Sequence, residues 1–334
     1  MHTRVLRVDH VIPEPAVLAE AASVLRRGGL VAFPTETVYG LGANASDPDA
    51  VARIFRAKGR PAGNPLIVHV AAKDQAQELT SEWPEAADRL SARFWPGPLT
   101  LVLLRNPRVP DIVTAGGATV ALRVPAHPVA LALLRTVQTP LAAPSANRSS
   151  HLSPTRSEHV LRSLDGLIDL LLDAGPTTGG VESTVLDVST SPPRLLRPGL
   201  IAPAQIEAVV GPIQRFASHA GGALRSPGLL ARHYAPTAPL ECVNVDAAAR
   251  VEALCRTGTC VGWLTFAGPE LAHLPGLTRI TMPSDVTAYA AEMYAALHSL
   301  DEAGVERIIV SMPPDTEEWL AVRDRLRRAS SGPV

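Results

Sequence analysis

The chain of 334 residues is 46% hydrophobic and 19% charged, with 24 glycines and 31 prolines. That is ample core for two ordinary domains or one large one, and it excludes collagen-like, coiled-coil and wholly disordered chains. A formal net charge of −1 leaves no overall field to draw in nucleic acid.

Charge is instead local, since residues 212–239 hold Arg215, Arg225 and Arg232 and no acid. Among 31 basic residues, Lys58 and Lys73 alone are lysines. A chain so biased keeps lysine by chance, or where a compact ammonium is needed. Cys242, Cys255 and Cys260 have a spacing that supports neither a disulfide framework nor a zinc site. The start, MHTRVLRVDHV, has no signal-peptide core and no apolar run is long enough for a membrane span, which points to a cytoplasmic protein.

In chain order, the spacing of Val17, Leu18, Ala21, Val24 and Leu25 predicts a helix over 14–27, stopped by Gly28-Gly29. A buried strand is expected at Leu30–Phe33. Ser46 or Asp47 before Pro48 starts a helix that Ala50–Ala57 continues. Strands are expected at Pro65–Val70, Leu99–Leu104, Thr119–Val124, Leu141–Ala143, Leu167–Leu172 and Val185–Val188. Helices fill 73–93, 127–137 and 155–164, where Thr155 and Glu158 have capping-box spacing. This is mixed α/β without regular alternation. From Gly211 to Pro239 the pattern dissolves into a linker or lid. Beyond it, strands at 240–245, 260–266, 278–282 and 307–311 alternate with helices at 247–256, 286–303 and 316–329. That alternation predicts a small parallel, Rossmann-like domain. The expected organisation is therefore 1–211, a linker at 212–239, and 240–334.

Several segments carry polar groups that could do chemistry. Gly40-Leu-Gly42-Ala-Asn-Ala45 fits a dinucleotide template poorly, because Arg60 stands where a ribose-binding acid is expected. No P-loop is present, and neither flavin nor nicotinamide is implied. Pro34-Thr-Glu-Thr-Val-Tyr-Gly40 ends a strand in two hydroxyls, a carboxylate and a phenol before a glycine turn; simple strand termination explains it equally well. Lys58-Gly-Arg60-Pro-Ala-Gly-Asn64 places two cations on a bent chain, suited to a polyphosphate or, more blandly, to a helix C-terminus. His69 lies in an apolar strand, where a satisfied core histidine is the default. Ser145 and Asn147 are ordinary turn residues by themselves. Arg123 and Arg197, in apolar strands, must each find an anion or an edge.

Taken in order, PTETVYGLG, KGRPAGNPL, FWPGPLT at 94–100, TVALRVP at 119–125, PSAN at 144–147, STV at 183–185 and RPG at 197–199 resemble the YrdC-like family of threonylcarbamoyl-AMP synthases. Ser226-Pro227-Gly228 through His233-Tyr234-Ala-Pro236 resembles the linker of that family's two-domain form. Motifs cover about residues 10–236, and the remainder is similar in architecture. The resemblance implies a twisted mixed sheet with a concave cationic cleft, a long linker and a small C-terminal domain.

It also implies a nucleotidyltransferase that condenses L-threonine, bicarbonate or CO2 and ATP to threonylcarbamoyl-AMP and pyrophosphate, for tRNA modification. Lys58, Arg60, Ser145 and Asn147 match the catalytic, phosphate-holding set. Asn64, Thr119, Ser153, Arg197, His233 and Tyr234 match nucleotide positions. Thr37, His69, Arg123, the Ala143 backbone and Ser183 match positions around threonine. Mg2+ is expected on the ATP phosphates, with no metal held by protein side chains and no zinc. Hand-off to the tRNA threonylcarbamoyl-transferase machinery is implied, without stable nucleic-acid or membrane binding. Two other classes fit less well: a non-catalytic RNA-binding module, opposed by the near-neutral charge, and the hydrogenase-maturing carbamoyltransferase, whose acylphosphatase and zinc modules this chain lacks.

Overall fold

A computed structural model describes residues 2–215, 233–266 and 274–330. The chain forms two compact units. The first comprises Met1–Ser149, Pro154–Thr178 and Glu182–Leu229; the second comprises Ser150–Ser153, Gly179–Val181 and Leu230–Val334.

The first unit contains, in order, β1 (Arg4–Arg7), α1 (Pro15–Arg26), β2 (Val31–Phe33), β3 (Gly40–Asn44), α2 (Pro48–Lys58), β4 (Ile67–His69), α3 (Lys73–Glu78), α4 (Glu85–Phe94) and β5 (Leu99–Leu104). There follow α5 (Asp111–Thr114), β6 (Thr119–Arg123), α6 (Pro128–Val137), β7 (Leu141–Ala142), α7 (Ser157–Leu164), β8 (Leu170–Asp173), β9 (Thr184–Asp187), β10 (Arg194–Arg197), α8 (Pro203–Val210) and β11 (Gln214–Arg215). The strands form one mixed sheet in the order β1-β8-β2-β3-β7-β4-β6-β5-β9-β10-β11. The main core packs β3, β4, β5 and β6 side chains such as Leu41, Val68, Leu101 and Leu122 with α2 residues Val51 and Ile54. A second cluster joins α1 and α6 through Leu18, Leu25, Leu133 and Leu134 to Val31, Phe33 and Leu170 of the sheet.

Three local expectations are corrected. The glycines after Tyr39 do not form a turn; they are β3, antiparallel to β2 with Phe33 opposite Gly40 and Val31 opposite Gly42. Glycine is needed there because a Cβ on Gly42 would sit 2.7 Å from the Phe33 ring. The helix expected at 73–93 is two, because Thr80 bridges Arg105 and Ser81 donates to the Leu104 carbonyl, drawing 80–81 to the end of β5 before α4 starts after its N-cap Pro84. The capping box at Thr155 does not form: Arg156 is the N-cap, and the Thr155 N–H goes to His159 Nδ1 instead. Where the sequence cue was complete, as at α2, Asp47 caps the N–H groups of Asp49 and Ala50, and Gly59 ends the helix in the left-handed region.

The second unit has β12 (Leu240–Val243), α9 (Ala247–Arg256), β13 (Val261–Thr265), β14 (Leu277–Thr281), α10 (Val286–Glu302), β15 (Arg307–Ser311) and α11 (Leu320–Ala329). Its four strands are all parallel, in the order β12-β15-β13-β14. The small parallel α/β domain expected from the sequence is therefore present.

Candidate active site

Side chains alternate between the faces of a strand. On one face of β4, β5, β6, β9 and β10, Ile67, Val102, Ala121, Val185 and Leu196 form a small apolar cluster separate from the main core. Residues two positions from these share the face. His69, Thr100, Thr119 and Arg123 therefore stand around that apolar floor, with Ser183 immediately ahead of β9.

Strand register sets the distances. β4 and β6 run parallel with Ile67 beside Ala121 and His69 beside Arg123. β7 is antiparallel to β4, with Leu141 beside His69. The chain then returns past Ile67, whose carbonyl accepts the Ala143 N–H at 2.9 Å, and continues to Ser145 and Asn147. His69 and Arg123 thus mark one end of the site. Asn64, Ser145 and Asn147 mark the other, at most ~17 Å away at ~3.3 Å per residue.

At the first end, Arg123 is almost wholly buried and held on three sides. Its Nε donates to the Gly97 carbonyl at 3.2 Å, Nη1 donates to Thr37 Oγ1 at 3.1 Å, and Nη2 pairs with Glu36 Oε1 at 2.6 Å. Thr37 Oγ1 in turn lies 2.8 Å from Thr35 Oγ1, which donates to the Val38 carbonyl. Burial, followed by the charge of Arg123, pushes His69 down to about 3, so its imidazole is neutral at ordinary pH. His69 Nδ1 is buried with no hydrogen-bond partner among the described residues. Ser183 Oγ is 2.7 Å from Thr100 Oγ1 and accepts from Arg197 Nη2 at 3.2 Å. Arg197 Nε also donates to the Ser183 carbonyl. Gly199 follows because its backbone passes so near Ser183 and Thr184 that a Cβ would lie 2.2 Å from the Thr184 nitrogen.

At the second end, Lys58 is buried at the last turn of α2, and its Nζ donates to the carbonyls of Ser145 (2.6 Å) and Asn147. Burial above all, and then the neighbouring Arg60 charge, holds Lys58 well below the usual lysine value. Arg60 donates to the carbonyls of Asn64 and Pro65. The Asn64 amide is buried with neither end partnered among the described residues. These are cations and amides, a donor set that suits phosphate oxygens.

Thr119 begins β6, four residues from Arg123. Ser153, His233 and Tyr234 belong to the second unit. Within it the Ser153 carbonyl meets His298 Nε2 at 3.2 Å, and the His233 N–H donates to the Arg328 carbonyl. Tyr234 is buried in the left-handed region, its ring 3.9 Å from His233 and 5.1 Å from the Arg325 guanidinium. Arg225, Ser226, Pro227, Gly228 and Arg232 of the expected lid lie outside the described residues. The phenol of Tyr39 does not converge with Thr35, Glu36 and Thr37; it is committed to the Gly175 carbonyl at 2.7 Å and the Ala174 N–H. Two residues missed by sequence reasoning now stand in the site: Glu36, on Arg123, and Thr100, on Ser183. The signal for Glu36 was a carboxylate between two threonines at a strand end. Thr100 gave none, since threonine is ordinary in a strand.

A family model described as "Telomere recombination", that of the Sua5, YciO and YrdC proteins, matches residues 23–199, and one described as "Threonylcarbamoyl-AMP synthase, C-terminal domain" matches residues 201–331. The chain belongs to the threonylcarbamoyl-AMP synthase family. It is 47% identical to the threonylcarbamoyl-AMP synthase of Bacillus subtilis, over 98% of this chain and 96% of that protein. It is 43% identical to the protein of the same name from Pyrococcus abyssi, over 93% of each. The crystal structure of P. abyssi Sua5 complexed with L-threonine superposes with a TM-score of 0.91 at 41% identity, covering 98% of both chains. Family membership thus extends over both units. No helix among the described residues is long and apolar enough to cross a membrane.

Proposed function

We propose that the site of the first unit condenses L-threonine, bicarbonate or CO2 and ATP to L-threonylcarbamoyl-AMP and pyrophosphate, for threonylcarbamoyladenosine modification of tRNA. The observation that supports this reading is the register of β4, β6 and β7, which sets Arg123 and the Ser145-to-Asn147 segment gripped by Lys58 at opposite ends of one short span. Thr37, His69, Arg123, Ala143 and Ser183 surround threonine. Because the Ala143 N–H is spent on Ile67, its carbonyl is the group left for the substrate. Lys58, Arg60, Ser145 and Asn147 hold the triphosphate, and Asn64, Thr119 and Arg197 of the same unit add nucleotide contacts. The first unit is the catalytic part, and residues 240–334 belong to the second, accessory unit.

In the reaction, the threonine nitrogen forms a bond to the carbon of CO2, releasing a proton. One oxygen of the resulting carbamate then attacks the α-phosphorus, and the bond to the bridging oxygen breaks as pyrophosphate leaves. Negative charge grows on phosphate oxygens, so fixed cations carry the catalysis and no enzyme nucleophile is needed. Lys58 has two N–H groups fixed on carbonyls and the third left for phosphate. A bound polyanion favours its charged form, restoring what burial takes away. Mg2+ enters with ATP, where it neutralises the phosphates. The acyl-adenylate passes to the tRNA-modifying transferase in the cytoplasm. The test is pyrophosphate release from ATP: it should require both L-threonine and bicarbonate. Release that ignores either one, or none at all, overturns the reading.

A further inference from the structure

Glu36 is absent from the set of residues assigned above, yet it lies in close ion-pair contact with Arg123 at the threonine end of the site. Its side chain is 14% exposed, and its Oε1 sits 2.6 Å from Arg123 Nη2. Both of its carboxylate oxygens are buried with no hydrogen-bond partner among the described residues. A buried carboxylate oxygen left unmatched is costly, and a carboxylate can accept about four bonds, so Glu36 has capacity to spare. Arg123 is in the same condition. A guanidinium has about five N–H donors, hydrogen bonds to Gly97 and Thr37 use two of them, and Nη2, though ion-paired with Glu36, has no hydrogen-bond partner among the described residues.

The charges sharpen the point. Arg123 and Glu36 cancel, so this end of the site is neutral before substrate arrives. A simple carboxylate entering beside Arg123 would meet the like charge of Glu36. An α-amino acid would not, because its ammonium stands one carbon away from its carboxylate and can turn toward Glu36. His69, held neutral, offers no competing positive charge.

We propose that Glu36 receives the α-ammonium group of the amino-acid substrate, so that Glu36 and Arg123 together read a zwitterion. This rests on the reading of that pocket as the L-threonine site. The alternative role is purely structural, with Glu36 fixing the loop from Thr35 to Val38.

Calorimetric titration of the full chain with L-threonine and with 2,3-dihydroxybutyrate, which carries hydroxyl in place of ammonium, separates the two. The wild type should prefer L-threonine by about 10–100-fold, the worth of one charge-assisted hydrogen bond. Glu36→Gln, nearly isosteric and still able to accept from Arg123, should bring the preference to near unity. Glu36→Asp, which retains the charge, should narrow it less. Because each preference is a ratio within one protein, a general loss of stability cancels. A structural role would weaken both ligands together, and an unchanged ratio in the two variants overturns the proposal. So does a wild type that binds both ligands equally. If the wild type binds no L-threonine, the functional reading itself falls.

Discussion

The two ends of the site solve the same problem, a buried cation, in opposite ways. Lys58 is satisfied by the carbonyls of Ser145 and Asn147, which carry partial charge and leave its full positive charge uncancelled. Arg123 donates to a carbonyl and a hydroxyl, and its charge is balanced by the ion pair with Glu36. Burial strongly disfavours an uncancelled charge, and Lys58 accordingly titrates well below an ordinary lysine. The difference matches what each end is to receive: a polyanion can supply the missing counter-charge, whereas a molecule of no net charge cannot. Counter-charge inside a site is therefore a statement about the ligand's charge as much as about stability.

The largest effect that could break this contrast concerns hydrogen bonding at the neutral end. If hydroxyls of Thr37 and Ser183 and the open Nδ1 of His69 read the substrate hydroxyl, serine should be used far better than 2-aminobutyrate. Sites of this kind reject the analogue lacking the group by ~10⁴, while a missing methyl is worth ~10–200-fold. Steady-state pyrophosphate release with each amino acid checks it; the reverse order would mean that shape alone is read.

Next comes the ion pair. Arg123→Ala strands a buried Glu36 carboxylate and should cost ~3–5 kcal/mol in urea unfolding. Arg123→Leu combined with Glu36→Leu should recover most of that stability while still failing to bind L-threonine. Recovery of both would show the pair to be scaffold.

At the cationic end, Lys58→Ala should lower kcat by ~10²–10³, equivalent to ~2.7–4 kcal/mol of barrier. Lys73 is exposed and paired with Asp88, and Lys73→Ala should leave kcat about unchanged. Equal losses in the two variants would remove Lys58 from the mechanism.

A last effect is a pH slope. His69 falls from its ordinary 6.5 to about 3 in the folded chain, so the unfolded chain binds the proton more readily. Stability from this group is complete above pH 6.5 and drains away as pH falls toward 3. His69→Gln should flatten that part of the stability curve, measured by unfolding at a series of pH values.

Much of the fold could be read from residues. Leu99–Leu104 and the helix begun by Asp47-Pro48 appear where apolar runs and caps put them. Where reading failed, a distant partner decided. Gly40 to Asn44 looks like a turn by composition and is a strand because Phe33 fills the space its side chains would need. Residues 79–84 have a helix-compatible pattern, but Thr80 is claimed by Arg105. The site divides likewise. Lys58 was conspicuous as one of two lysines, Arg60 as a second cation beside it on a bent chain, and Arg123 as a charge within an apolar strand. That Lys58 would grip the Ser145-to-Asn147 segment, 87 residues on, could not be read from either motif alone. Nor could Glu36 be matched to Arg123 before the sheet brought the β2–β3 connection against the end of β6.

The register of β7 against β4 also governs how this site can fail. Pairing has a period of two, so a slip by one residue moves Ala143, Ser145 and Asn147 by ~3.3 Å and turns their side chains to the opposite face. No intermediate setting exists. Damage to the packing that fixes β7 should therefore appear as a mixture of fully working and fully dead molecules, with the titre of competent sites falling while the turnover of each survivor stays constant.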